Sequence, residues 1–127
     1  MIRVAIAEDH AEMRVVLKLF LGLSPELELV CEAVNGQEAV TCAQELQPDV
    51  LVMDIQMPVM DGLESTRQIV NLGLRTRVIL ISLQRSSYIV MQSKEVGARG
   101  FLPKDDIAKS LLVAIQEVYR GETFFVE

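Results

Sequence analysis

Four consecutive apolar residues, Val50, Leu51, Val52 and Met53, run directly into Asp54, and Pro58 and the Asp61-Gly62 pair follow within a few positions. Because no polar side chain alternates with the apolar ones, the run reads as a strand covered on both faces, as in a parallel sheet flanked by helices. The proline and the Asp-Gly pair place a loop immediately afterwards. Asp54 therefore stands at the carboxyl end of a buried strand, the edge on which open α/β sheets gather their functional groups. Alone, an aspartate there is as well explained as a turn residue.

Other segments repeat the pattern. Ile2, Val4 and Ile6 mark a strand over residues 2–7 that ends at Glu8-Asp9, and Met13, Val16, Leu17, Phe20 and Leu21 then recur at helical spacing until Gly22. Residues 29–34 read as a second strand. Asn35 with Glu38 has the spacing of a capping arrangement, opening a helix with Ala39, Val40, Ala43 and Leu46 inward until Pro48. After the central strand, Asp61 caps a helix over 62–72 with Leu63, Thr66, Ile69 and Val70 inward. A buried strand over 78–82, a helix over 86–96 and a short strand over 99–102 follow. Asp105 or Asp106 caps a last helix whose stripe is Ile107, Leu111, Leu112, Ile115 and Val118, and residues 123–126 form an apolar tail. Five strand-helix alternations with short connections predict right-handed crossovers and a doubly wound parallel α/β sheet.

At 127 residues the chain makes one domain. Its net charge of -6 excludes unaided binding to DNA or RNA, which needs clustered basic residues. No run approaches membrane-spanning length and the start lacks a signal peptide, so a cytoplasmic protein is expected. Cys31 and Cys42, with His10 as the only histidine, suggest neither a zinc site nor a disulfide framework, and buried reduced thiols are expected.

The strand ends line up on one edge and carry Glu8, Asp9, Asp54, Ser82 and Lys104. Each has an ordinary explanation by itself: a helix cap, a turn, a polar strand end, a surface lysine. Together they describe a pocket. Two like charges about 4 Å apart cost on the order of 4 kcal/mol at an effective dielectric near 20, so converging carboxylates call for a cation. An acidic all-oxygen pocket that retains water suits Mg²⁺, and Lys104 adds a compact positive charge. In such surroundings Asp54 can attack phosphorus to form an aspartyl phosphate while Ser82 donates to a phosphoryl oxygen.

With MDIQMPVMDG around Asp54 and FLPKD around Lys104, the whole chain resembles the receiver domain of two-component response regulators. The resemblance implies a flavodoxin-like (βα)5 fold with a five-stranded parallel sheet in the order 2-1-3-4-5. It also implies Asp54 as phosphoacceptor, Glu8, Asp9, Asp54 and the Gln56 backbone carbonyl as Mg²⁺ ligands, and Lys104 as the phosphate-contacting lysine. Ser82 and Phe101 become the switch pair: phosphate draws Ser82 inward, Phe101 rotates into the vacated space, and the surface of the helix over 86–96, the last strand and the last helix changes. A sensor histidine kinase is the implied donor and a homodimer the implied consequence. The start AEDH and the Lys-Asp after the last strand are similar to the branch with a helix-turn-helix output domain. Transcription regulation is thus the expected role, with DNA bound only through an output domain absent from this chain. Residues 1–121 are expected to be the receiver and 122–127 the start of a linker or tail.

Two positions depart from the family pattern. Leu83 stands where a small residue usually follows the switch hydroxyl, and is expected to narrow access to Asp54. Pro103 precedes Lys104, whereas many receivers have proline after it. Rival readings are an aspartyl-phosphate phosphatase, which normally has a second Asp where this chain has Gln56, a flavin module, whose phosphate Glu8-Asp9 would repel, and a receiver-like interaction module that is not phosphorylated.

Overall fold

The computed structural model describes residues 1–127. Strands and helices alternate: β1 (Ile2–Ala7), α1 (Ala11–Leu21), β2 (Leu27–Ala33), α2 (Gly36–Leu46), β3 (Val50–Asp54), α3 (Gly62–Asn71), β4 (Arg77–Ser82), α4 (Ser87–Glu95), β5 (Gly100–Pro103), α5 (Ile107–Tyr119) and β6 (Phe124–Phe125). All pairings are parallel, and the sheet order is β2-β1-β3-β4-β5-β6.

The doubly wound fold and the 2-1-3-4-5 order are as expected, but the sheet has six strands rather than five. The apolar tail does not hang free. Phe124 and Phe125 pair with Gly100 and Phe101, and the Val126 amide donates to the Phe101 carbonyl at 3.0 Å. Two half-buried phenylalanines beside the otherwise open edge of β5 bury more apolar surface as a strand than they would as a solvated tail.

Every residue of β3 is buried, as its unbroken apolar run requires. Successive side chains leave the sheet on opposite faces, and each face has its own core. Leu51 and Met53 pack with Ala39, Ala43, Ile69 and Phe101 under α2, α3 and α4, whereas Val50 and Val52 pack with Leu17, Leu111 and Ile115 under α1 and α5.

Local chemistry starts the helices. The Asn35 side chain accepts the Glu38 amide at 2.8 Å and the Glu38 carboxylate accepts the Val34 amide at 3.0 Å, so the predicted capping arrangement forms. Asp61 and Ser86 cap α3 and α4 in the same way. Asp106 takes the N-cap position of α5, as expected, but makes no side-chain cap hydrogen bond, because a single 3-10 turn over Lys104–Asp106 leads into that helix and both Asp105 and Asp106 face Arg85. Three residues expected inward, Val16, Leu46 and Val70, are exposed. They lie at the margins of their apolar stripes, where a sheet narrower than the stripe leaves them uncovered.

The cysteine expectation is also corrected. Cys42 is buried as expected but Cys31 is only half-buried, and the crossover from β2 into α2 brings their Cα atoms to 6.6 Å and their sulfurs side by side. Two cysteines eleven residues apart give no hint of this until the helix is folded back over its strand.

Candidate functional site

Strands β1 and β3 are neighbours in register, and Asp54 lies opposite Ile81 of β4. The loops leaving β1, β3, β4 and β5 consequently open on one edge, bringing Glu8, Asp9, Asp54, Ser82 and Lys104 to adjacent strand ends. Three of these are tightly engaged. Lys104 Nζ lies 2.9 Å from Glu8 Oε1 and 3.2 Å from Asp54 Oδ2, with all three side chains at least nine-tenths buried. The other Asp54 oxygen, Oδ1, accepts the Gln56 amide at 3.3 Å.

Glu8 Oε1 faces the ammonium as an ion pair off hydrogen-bond alignment, and it and Asp9 Oδ1 are buried oxygens without a hydrogen-bond donor. Buried oxygens that lack an aligned donor are costly, so two of them in one pocket, each on a carboxylate, call for further positive charge. Glu8, Asp9, His10 and Asp54 each offer one ligand atom, all within 4.8 Å of one another. The donor set is dominated by carboxylate oxygen, which fits a hard divalent cation.

Electrostatics divides the carboxylates. Burial pushes Asp54 upward, the negative charge of Glu8 adds to it, and despite the opposing pull of Lys104 the group is raised to about 6. Burial also works to raise Glu8, but Lys104, aided by the His10 amide, outweighs it and holds Glu8 below its ordinary value. For Lys104, burial favours the neutral amine, yet its two carboxylate partners keep the ammonium above the ordinary lysine range.

Ser82 is buried at the end of β4, where its Oγ accepts the Gln84 amide at 3.0 Å. That contact occupies a lone pair and leaves the hydroxyl proton available to a further acceptor. Leu83, next in the chain, is 73% exposed. Phe101 is fully buried among the residues of the α2–α4 face. Pro103 sits at the end of β5 and every peptide bond is trans.

Three contributors went unnoticed in the sequence. His10, the only histidine, is the N-cap of α1, and its Nδ1 lies 3.1 Å from Glu8 Oε2 and 3.3 Å from Asp9 Oδ1. Arg14 donates to the Glu8 carbonyl at 2.8 Å and fixes the turn after β1. Gly62 donates its amide to the Ile55 carbonyl at 2.7 Å, and a Cβ there would overlap the Asp54 carbonyl oxygen. The Asp-Gly pair was the only available signal, and it also fits an ordinary helix start. Beside Asp9 and Gln56 a cleft of about 600 Å³ opens to solvent along Pro58 and Asp61, giving a route to the carboxylates.

A doubly wound parallel sheet with acidic groups, a hydroxyl and a lysine at neighbouring strand ends defines a class of signalling domain. Residues 4–116 match the response regulator receiver domain, and the chain belongs to that family, whose members are phosphorylation-dependent switches of two-component systems. It is 36% identical over 121 residues to the transcriptional regulatory protein LnrK of Bacillus subtilis, covering 95% of this chain and 55% of that protein. It is 30% identical over 124 residues to the nitrate/nitrite response regulator protein NarL of Escherichia coli strain K12, covering 98% and 57%. The signal receiver domain of a NarL response regulator from Mycobacterium tuberculosis superposes with a TM-score of 0.92 at 34% identity, over 95% of this chain and 98% of that one. The chain thus spans little more than half the length of the two curated relatives. No helix is long and apolar enough to cross a membrane.

Proposed function

We propose that Asp54 accepts a phosphoryl group from a sensor histidine kinase in the cytoplasm, and that the modified domain controls dimerisation or a DNA-binding output domain, and through it transcription. The observation that carries this reading is the Glu8–Lys104–Asp54 constellation, a buried nucleophile and a second buried carboxylate sharing one ammonium.

Glu8, Asp9, Asp54 and the Gln56 carbonyl would hold Mg²⁺, which when bound supplies charge neutralisation for a dianionic phosphoryl group. The chain's own residues do the rest. With a pKa near 6, Asp54 is largely ionised at neutral pH yet more basic than a solvated aspartate, which favours attack on phosphorus. The donor's phosphorus-to-nitrogen bond breaks as the bond to an Asp54 carboxylate oxygen forms. Lys104, already 3.2 Å from Asp54 Oδ2, transfers its ion pair to a phosphoryl oxygen, and the Ser82 hydroxyl donates to another. The domain turns over no external substrate and catalyses only its own phosphorylation and dephosphorylation.

The response travels through the loop after Ser82. Arg85 in that loop pairs with Asp106 at 3.3 Å and with Asp105 at 3.9 Å, tying the segment that follows Ser82 to the turn that holds Lys104. Movement of Ser82 toward phosphate therefore strains both sides of the α4-β5-α5 surface, on which Tyr88 and Met91 are exposed. Phe101 is the aromatic that fills the space given up by Ser82 in this scheme, and its fully buried side chain already stands inward.

The test is an intact-mass spectrum after incubation with acetyl phosphate, with and without Mg²⁺. One added phosphoryl group is expected in the parent with metal and none in Asp54→Asn. Modification of the variant at the parent's rate would refute the assignment.

A further inference from the structure

At the opposite end of the sheet from Asp54, where the strands begin, lies a cleft of about 610 Å³. Arg3, Arg75, Arg77 and Arg99 line it, half of the eight arginines in a chain of net charge -6. None of the four pairs with a carboxylate, although six other basic side chains of the protein do. Asp49 is the one acidic residue lining the cleft, and its Oδ2 already accepts the Arg3 amide at 2.8 Å.

Part of this arrangement has a structural explanation. The Arg3 guanidinium donates to the Gln47 carbonyl at 3.0 Å and that of Arg77 to the Tyr119 carbonyl at 3.1 Å, so each satisfies the last turn of a helix. Arg75 and Arg99 have no such duty. Both are exposed, and neither has a carboxylate within ion-pair distance.

The walls are rigid. Asp49 receives backbone bonds from both sides, its amide donating to Arg3 at 2.8 Å and its carbonyl accepting from Arg77 at 3.1 Å, while the buried Thr76 hydroxyl donates to the Pro48 carbonyl at 2.7 Å. The four arginines are thus carried on strand starts and a loop whose backbone is fixed by hydrogen bonds.

We propose that this cleft binds a small polyanion carrying two or more linked phosphate groups. Guanidinium forks match phosphate oxygens in pairs, and the volume suits a metabolite-sized ligand. The apolar lining, Val70, Leu74 and Val78, is aliphatic, so nothing there stacks on a nucleobase. Recognition is therefore of the phosphate chain and not of an attached base.

Inorganic tripolyphosphate, added in metal-free buffer and followed by amide chemical shifts, tests the proposal. Shifts are expected at Asp49, Thr76 and Arg99 and not at Asp54 or Ser82, with affinity falling as salt rises. Arg75→Ala/Arg99→Ala should weaken binding by about tenfold or more, while Arg67→Ala, on an exposed helix face, leaves it unchanged. ATP should bind about as well as tripolyphosphate, and citrate more weakly. Absence of binding, shifts confined to the Asp54 end, or equal binding by the double variant would overturn the site; equal binding by citrate would overturn the phosphate assignment.

Discussion

Gly62 rests on the backbone of Asp54. Its amide donates to the neighbouring Ile55 carbonyl at 2.7 Å, and the space a side chain would need is filled by the Asp54 carbonyl. The N-terminus of α3 is thereby pressed against the end of β3, on the backbone of the residue that carries the carboxylate. Gly62→Ala should destabilise the domain by about 1–3 kcal/mol through this overlap and slow phosphoryl uptake as well. Thermal unfolding combined with intact-mass kinetics checks it; wild-type values for both would show that the contact is slack.

The raised pKa of Asp54 carries a sign that can be measured. An aspartate that titrates near 6 when folded, against 3.8 as its ordinary value, resists ionisation in the native state. The resulting penalty is absent below the unfolded pKa, grows as pH rises through the folded one, and reaches about 3 kcal/mol at full ionisation. In metal-free buffer, Asp54→Asn should therefore be more stable than the parent at about pH 8, with the difference shrinking toward zero near pH 4. Urea denaturation at several pH values measures this. A stability difference independent of pH would rule the explanation out.

Lys104 opposes that penalty. Replacing it with alanine leaves Glu8 and Asp54 buried without their shared cation, and breaking such a pair from one side costs about 3 kcal/mol at neutral pH. Mg²⁺ should restore a larger share of stability to Lys104→Ala than it adds to the parent, since the unpaired carboxylates are then the stronger demand. Equal stabilisation of both chains by Mg²⁺ would argue that the cation is held elsewhere.

The sixth strand makes a separate prediction. Deleting residues 122–127 removes the pairing on β5 and the contact of Lys94 with the Phe125 ring, 5.0 Å from its centroid. A loss of about 1.5–3 kcal/mol is expected, the range for uncovering two half-buried phenylalanines. Hydrogen exchange should accelerate first at Gly100 and Phe101. Unchanged exchange there would mean that the strand adds nothing to the edge.

Local sequence determined the parts of this protein that depend on short-range physics. The apolar run 50–53 could only be a doubly covered strand, Asn35 and Asp61 could be read as helix caps, and five strand-helix alternations left few topologies open. Because such a sheet aligns its strand ends, the sequence alone places Glu8, Asp9, Asp54, Ser82 and Lys104 on one edge. Whether ends that share an edge also touch was a different matter. The 2.9 and 3.2 Å contacts of Lys104, the entry of His10 into the acidic cluster, the inward seat of Phe101 and the meeting of Cys31 with Cys42 all join residues through loops and crossovers. No periodicity encodes those distances. The same holds for the arginines beneath the sheet, which are scattered over nearly a hundred positions and become one charged cleft only when the strands lie side by side.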